Sequence, residues 1–510
     1  MVLRTLVASG ALVLALSPTA LATAEFGPSV EVADERGHQI FNSIFDSLRK
    51  WGQTVHPNGM SFFLATVPEG ILFHHGNDRN ATPTSLDWMA YEIEHAEMFA
   101  RSKMGGPGRG PPGEPPRDDW AENRLQAALG GDDRKKSYGW LHTYRTTRPL
   151  QFLYIDGMSG NKDDTGVIDT QDLILRLAGA TETTREAVPE TTRRPGPPGE
   201  NQRALDLCAL CAEWGLQGVI RTESPGIEII KCDFFDGLEE VQSVRRLDGG
   251  MSGPGGPGGG PGDGPGGRPG GGGPGGGPGG GPGGPGWRMT PSSPEESFRD
   301  VGGRTLLDFS AMVSAFFFPV DLTNPDVPDA AEGSRLPRLV NTSATQRAAM
   351  RDYLAATIGT RRGSMPQAAA HWRDVADLIV RRYAPRLAVM ANATASADEL
   401  AAGARFLLSV YENYAEPDRQ RRDRVARQHC TDFYLQIRPV VTQADQLVRA
   451  SFAAVTADIC GTLFDVKGAL DSTRPTVDDV ILPVARKAVQ QLVQRLDWSV
   501  FAAEGGLLEM

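Results

Sequence analysis

PEGILFHHG (Pro68–Gly76) and GLQGVIRTESPGIEIIKCDF (Gly215–Phe234) are the stretches on which the reading of the fold turns. In the first, Pro-Glu-Gly precedes an apolar run of strand length, so a core strand is expected that presents His75 and Gly76 at its end. In the second, the runs around Val219-Ile220 and Ile227–Ile230 flank Ser-Pro-Gly and read as a strand pair. Working outward, further strand-like runs occur at SFFLATV, LHTYRT and LQFLYI, and helical stretches at IEHAEMFARS and NQRALDLCALCAEWG. Ile40, Phe41, Ile44, Phe45, Leu48 and Trp51 recur at helical spacing and predict one amphipathic helix ahead of the first strand. Interleaved strands and helices of this kind predict an α+β domain with a mixed, partly antiparallel sheet.

Residues 248–290 are dominated by Gly and Pro, which bring no side chains to bury, and are expected to be a disordered linker. Pro/Gly-rich loops are expected at 104–118 and 188–201, inside a first domain spanning 25–247. Beyond the linker, residues 291–510 read as an all-α bundle of about six helices. Ser343-x-x-Gln346, Ser396-x-x-Glu399, Thr442-x-x-Asp445 and Thr476-x-x-Asp479 each have the capping-box pattern ahead of an apolar-periodic run. Trp372, Val375, Leu378, Ile379 and Tyr383 line one such face, and Leu447, Phe452, Val455, Ile459 and Leu463 another.

The N-terminus runs from one positive charge at Arg4 through an apolar core, Leu6 to Leu16, and a Pro18 break to Ala22-Thr23-Ala24. That order predicts a signal peptide over residues 1–24 and a secreted protein. No other segment approaches the roughly 20 apolar residues that cross a bilayer, so no membrane span is expected. Sequons at Asn80, Asn341 and Asn392 fit an exported glycoprotein. Of the five cysteines, Cys430 and Cys460 fall on neighbouring predicted helices, and Cys208 or Cys211 is in reach of Cys232. The pairing expected is Cys430–Cys460 and Cys208–Cys232, with Cys211 the alternative partner of Cys232. Cys208-x-x-Cys211 is followed by no second Cys or His pair at zinc spacing, so no metal is assigned to it. A formal net charge of −11 argues against a nucleic-acid partner.

Taken in order, several segments of the first domain resemble the ADP-ribosyltransferase fold over roughly residues 60–235. They are Phe73-His74-His75-Gly76, Trp88-Met89-Ala90-Tyr91 with Ala96-Glu97-Met98-Phe99-Ala100, the strand from Leu150 to Ile155, and Gly218-Val219-Ile220 followed by Glu228-Ile229-Ile230. The resemblance implies NAD as a substrate, to be cleaved between nicotinamide and ribose or used to modify a protein or small-molecule acceptor. It implies that Glu228 stabilises oxocarbenium charge, that His75 holds a ribose hydroxyl, that Gly76 admits close backbone approach, and that Trp88 or Tyr91 stacks on nicotinamide. Read alone, Glu228 is explained equally well as a solvated edge-strand carboxylate, and Trp88 and Tyr91 as core residues. A non-catalytic secreted binding or interaction protein on the same fold is one alternative, and a calcium-stabilised secreted protein is another.

NKDDTGVIDTQD, from Asn161, places oxygen side chains at five positions of a calcium loop, with Gly166 at the sixth. Asn at the first position, Asp172 at the last and a strand where the entering helix belongs favour a plain polar loop over calcium. Asp156, at the end of the LQFLYI strand, is the other isolated acid singled out.

Overall fold

The computed structural model describes residues 26–100, 138–162, 165–177, 199–224, 226–246, 304–327, 335–364, 371–437, 439–471 and 477–503. The expected signal peptide, the loop at 104–118, most of the loop at 188–201 and the Gly/Pro run at 248–290 lie outside the described residues, as do Asp163, Asp164 and Thr476.

Among the described residues, nine strands form one sheet: β1 Ser61–Val67, β2 Leu72–Asn77, β3 Asp87–Ala90, β4 Trp140–Thr146, β5 Leu150–Ile155, β6 Gly218–Glu223, β7 Gly226–Lys231, β8 Leu238–Arg245 and β9 Leu306–Ser314. Their order is β8-β4-β2-β3-β7-β6-β5-β1-β9. Every neighbouring pair is antiparallel except β5 with β6, which run parallel. β1, β6 and β7 are buried along their whole length, which is why their apolar runs are nearly continuous. The helices of this part are α1 Val30–Glu35, α2 Gly37–Phe45, α3 Lys50–Val55, α4 Ile93–Glu97 and α5 Glu200–Trp214.

A helical bundle follows: α6 Ala344–Arg361, α7 Trp372–Ala391, α8 Ala397–Leu408, α9 Arg419–Asp432, α10 Gln443–Asp471, α11 Val477–Leu496 and α12 Ser499–Ala503. Reciprocal capping boxes open α6 at Ser343 and Gln346 and α8 at Ser396 and Glu399. Ahead of α10, the Asp445 N–H donates to Thr442 Oγ1 and the Thr442 N–H to Asp445 Oδ2, both at 3.1 Å. By length and composition α10 could cross a membrane, a candidate that the sequence reading passed over. Its apolar residues, Leu447, Phe452, Val455, Ile459 and Leu463 among them, are buried in the bundle. On α7, Leu378 is exposed and stands apart from the buried face expected to include it.

Three features depart from the sequence reading. The helix expected over Ile40–Trp51 is broken into α2 and α3, with Leu48 between them in the left-handed region at φ 58°. The break satisfies the backbone elsewhere, because the Leu48 N–H is donated to Tyr154 Oη at 3.0 Å and Ser47 Oγ donates to the Ile44 carbonyl at 2.7 Å. Second, the first strand or helix described beyond the Gly/Pro run is a strand. β9 is rich in apolar residues and closes the sheet against β1. Third, the two parts share one core: Phe41 on α2 lies 4.7 Å from Phe452 on α10 and 5.7 Å from Trp498, centroid to centroid. Both expected disulfides are formed, Cys208–Cys232 and Cys430–Cys460, and Cys211 is free and buried.

The shared sheet and core have a measurable consequence. If a protease site is inserted in the Gly/Pro run and cut, the fragments on either side are expected to co-elute in gel filtration under native conditions. Fragments that separate without denaturant would show that the β1–β9 pairing does not hold the halves together.

Candidate functional site

The register settles where the residues expected to meet NAD stand. His74 is opposite Ala90, Ala90 opposite Glu228, and Glu228 opposite Arg221, so these four share one face of the sheet. Side chains alternate along a strand, so His75 points to the other face. The sheet therefore separates His75 from Glu228, and the single cleft that was to hold them both is not formed.

Each of the five residues has a local explanation. His75 is buried, and burial holds its pKa below the usual value. Nδ1 donates to the Trp88 carbonyl at 2.6 Å and Nε2 faces Asn77 Nδ2 at 3.1 Å, the pattern of a neutral imidazole. Gly76 is required by helix packing, since a Cβ there would sit 2.1 Å from the Ala96 carbonyl oxygen beside α4. Tyr91 is buried, edge-on to Phe73 at 5.0 Å, with its hydroxyl on Thr305. Trp88 is half-buried opposite Ile230 and packs on the core.

Glu228 is buried and ion-paired to the fully buried Arg221, whose Nη1 also donates to Gln171 Oε1 at 2.8 Å and whose Nη2 donates to Glu200 Oε1 on α5 at 2.5 Å. Lys162 bridges Glu228 at 3.3 Å and Glu223 at 2.7 Å, and His95 reaches Glu223 at 2.6 Å. Burial raises the Glu228 pKa while Arg221 opposes it. Burial alone would also raise Glu223, but His95 and Lys162 bring it down to about 2. Arg203 continues the network to Asp172, which Arg176 also pairs. The last position of the calcium-loop pattern is thus engaged by arginines. This is an ion network that ties β6 and β7 to α5 and the 158–162 loop.

A cavity lies elsewhere, where the N-terminal helices, the end of β5 and the last turns of α11 meet. It has a volume of about 880 Å³, and its walls include Asp46, Gln53, His56, Asn58, Asp156, Arg335 and Asp497. This is in the range of small-molecule sites. At its base the 57–59 and 156–158 segments touch backbone to backbone. The Met158 N–H donates to the Pro57 carbonyl at 2.8 Å, and a Cβ on Gly157 (φ 70°) would come within 2.2 Å of the Gly59 nitrogen. Glycine is therefore obligatory at this contact.

Asp156 leaves β5 at that contact, and its Oδ1 accepts the Ser61 N–H at 2.7 Å. Burial dominates and pushes its carboxyl up to about 7, against the hydrogen bonds from Ser61 and Ser43. His56 lies between two carboxylates, with Nδ1 at 2.9 Å from Asp46 Oδ2 and Nε2 at 3.2 Å from Asp497 Oδ2. Burial would lower its pKa, but the two carboxylates raise it to about 9, so the ring is an imidazolium at neutral pH. Asp46 also accepts Ser499 Oγ at 2.6 Å, and Arg335 Nε donates to both oxygens of Asp497 at 2.8 Å. Asp497 itself sits at φ 47°, backbone strain held in place by these ion pairs. The lining of the cleft thus includes a carboxyl that titrates near neutrality and a separate, fixed cation.

Of this site, the sequence reading singled out only Asp156. The turn sequence His56-Pro57-Asn58-Gly59 was the available signal for His56; Asp46 and Asp497 carried none, being 451 positions apart and joined only by the fold.

A family model described as the YPL277C N-terminal domain matches residues 28–124 and 114–249. The chain is 31% identical over 227 residues to the uncharacterized Saccharomyces cerevisiae protein YPL277C, covering 41% of this chain and 42% of that protein. It is 30% identical over 227 residues to the uncharacterized protein YOR389W of the same yeast, covering 41% of this chain and 33% of the relative. The chain therefore spans less than half the length of these relatives. No solved structure matches it. The family match takes in Asp46, His56 and Asp156, whereas Arg335 and Asp497 lie beyond it.

The ion network gives Glu228→Gln a defined outcome. Removing one charge from a buried pair costs about 3 kcal/mol or more, so denaturant unfolding should show that loss. Unchanged stability would return Glu228 to the list of functional carboxylates.

Proposed function

We propose that the protein is an exported hydrolase that cleaves a glycosidic-type bond in the cleft at Asp156. The observation that carries this reading is a strand-end carboxyl, raised to about 7 by burial, on the wall of a cavity of small-molecule size. Such a group is half protonated at neutral pH, the condition for giving a proton in one step and taking it back in the next. Asp156 protonates the leaving atom as its bond to the sugar carbon breaks. Water then adds through oxygen to that carbon, and its proton returns to the Asp156 carboxylate. Asp46 and Asp497, held in place by His56, Arg335 and Ser499, supply oriented negative dipoles towards the positive charge that develops on the sugar.

NAD cleavage, implied by the resemblance to ADP-ribosyltransferases, belongs to the same reaction class. Its support is the order of motifs along the chain; the separation of His75 from Glu228 removes support for the residues expected to perform it. The signal-like N-terminus and the two disulfides support export to an oxidising compartment.

Release of aryl leaving groups from aryl glycosides, and of nicotinamide from NAD, tests the proposal. Asp156→Asn is expected to lower turnover by about 10² to 10⁴ fold; full activity in that variant would refute the assignment.

The same substitution has a stability signature. Asp156 titrates at 3.8 when unperturbed and at about 7 in the fold, so folding favours its protonated form. Its cost is absent below pH 3.8 and grows to roughly 4 kcal/mol as pH rises through 7. Asp156→Asn should therefore melt higher than the wild type at pH 8, and the difference should vanish below pH 4. Parallel melting curves across that range would show that the carboxyl is not buried as described.

A further inference from the structure

The three sequons at Asn80, Asn341 and Asn392 look alike in the sequence, and the structure separates them. Asn392 follows the last turn of α7, and its Oδ1 accepts the Thr394 N–H at 2.9 Å and the Thr394 hydroxyl at 2.8 Å. Asn392, Ala393 and Thr394 are all exposed, and Nδ2 bonds none of the described residues. The turn is held from behind by α11, where Gln490 Nε2 donates to the Ala391 carbonyl at 3.0 Å and Arg486 donates to the Ala395 carbonyl. An exposed amide nitrogen is thus presented on a braced turn, with the hydroxyl of its own sequon on the amide oxygen.

The other two sequons are engaged elsewhere. Asn80 Oδ1 accepts Ser243 Oγ from β8 at 2.7 Å, while Thr82 Oγ1 lies 3.3 Å from Tyr144 Oη and 3.4 Å from Glu240 Oε2. Pro83 follows Thr82, and a residue before proline is driven to extended backbone, which opens the compact turn that would bring the hydroxyl back to Asn80. Asn341 Nδ2 donates to the Thr323 carbonyl at 3.1 Å, and Ser343 Oγ accepts the Gln346 N–H at 3.2 Å as the cap of α6. In neither does the hydroxyl bond the asparagine of its own sequon.

We infer that Asn392 is the residue that carries an N-linked glycan, and that Asn80 and Asn341 stay unmodified. The inference rests on the export part of the proposed function and adds a modification site to it. Donation by the Thr394 hydroxyl draws charge from the amide and makes an N–H easier to lose. The donor is an oligosaccharide linked to a lipid diphosphate. Nδ2 bonds its anomeric carbon, the bond from that carbon to the diphosphate oxygen breaks, the lipid diphosphate leaves with the electron pair, and Nδ2 gives up one proton. The arrangement closes within three successive residues, so a nascent chain can adopt it before the bundle assembles. After folding the same residue faces solvent, where a bulky glycan is accommodated.

The test is peptide mass spectrometry on the full chain, expressed with its own N-terminus in yeast and recovered from whole cultures. Enzymatic glycan release in heavy-oxygen water marks each asparagine that carried a sugar. Most chains are expected to be marked at Asn392, with roughly 10-fold lower occupancy at Asn80, which Pro83 disfavours, and at Asn341. Asn392→Gln should abolish the mobility shift that glycan removal produces. Thr394→Ala, which keeps the asparagine, should abolish it too, and decides the matter if Asn392→Gln does not fold. Chains that have lost residues 1–24 yet carry no mark at Asn392, or are marked equally at Asn80 or Asn341, overturn the inference and leave export standing. Chains that keep residues 1–24 and carry no mark overturn export and the inference together.

Discussion

A buried carboxylate, Asp445, ties the sheet to the bundle. It is fully buried at the start of α10, and it accepts Trp372 Nε1 from α7 at 2.8 Å, Ser310 Oγ from β9 at 3.0 Å and the N–H groups of Val441 and Thr442 at 3.1 Å. Burial would raise its pKa, but these donors together hold it below the usual carboxylate value. A buried charge persists in a core only where its hydrogen-bonding capacity is met. Three elements far apart in the chain must therefore arrive together before any of them is stable. The antiparallel pairing of β9 with β1 then carries the constraint to the centre of the sheet.

The cleft inherits its shape from that junction. Its base is the end of β5, fixed through β1, and its sides are α2 and the last turn of α11, which pack on α10, and α3, which packs on α12 and β6. Of the three non-glycine residues in left-handed backbone among the described residues, one is Leu177; the other two, Leu48 and Asp497, stand at or beside the cavity wall. Each is compensated by a specific hydrogen bond or ion pair, Leu48 through Tyr154 and Asp497 through His56 and Arg335. Strained backbone that a surrounding network over-determines is characteristic of functional positions.

Much of the secondary structure was legible because it rests on local pattern. The runs at Ser61–Val67, Leu150–Ile155 and Gly218–Glu223 are short, apolar and bounded by turn residues, and the capping boxes at Ser343 and Ser396 are satisfied within four residues. β3 and β8 escaped notice for opposite reasons. β3 has four residues, too few for a period, and β8 is an exposed edge whose charged side chains, such as Glu239 paired with Arg145, mask alternation. β9 was misread because the Gly/Pro run before it looks like the end of a domain. The site was less legible still. Glu228 and His75 stood out by motif order, but which face of a sheet a residue occupies depends on register across several strands. Asp46, His56 and Asp497 meet only through tertiary packing, so no local spacing marks them.

The position of Asp497 close to the last helix bears on when the molecule can act. One wall of the cavity is made by residues 35–59 and the opposing one by residues 491–497. During synthesis the first wall emerges well before the second, and His56 has only one of its two carboxylates until residue 497 has left the ribosome. A nascent chain can assemble much of its sheet while this pocket still lacks one side, so the cavity, on this architecture, is completed only when residues 491–497 arrive.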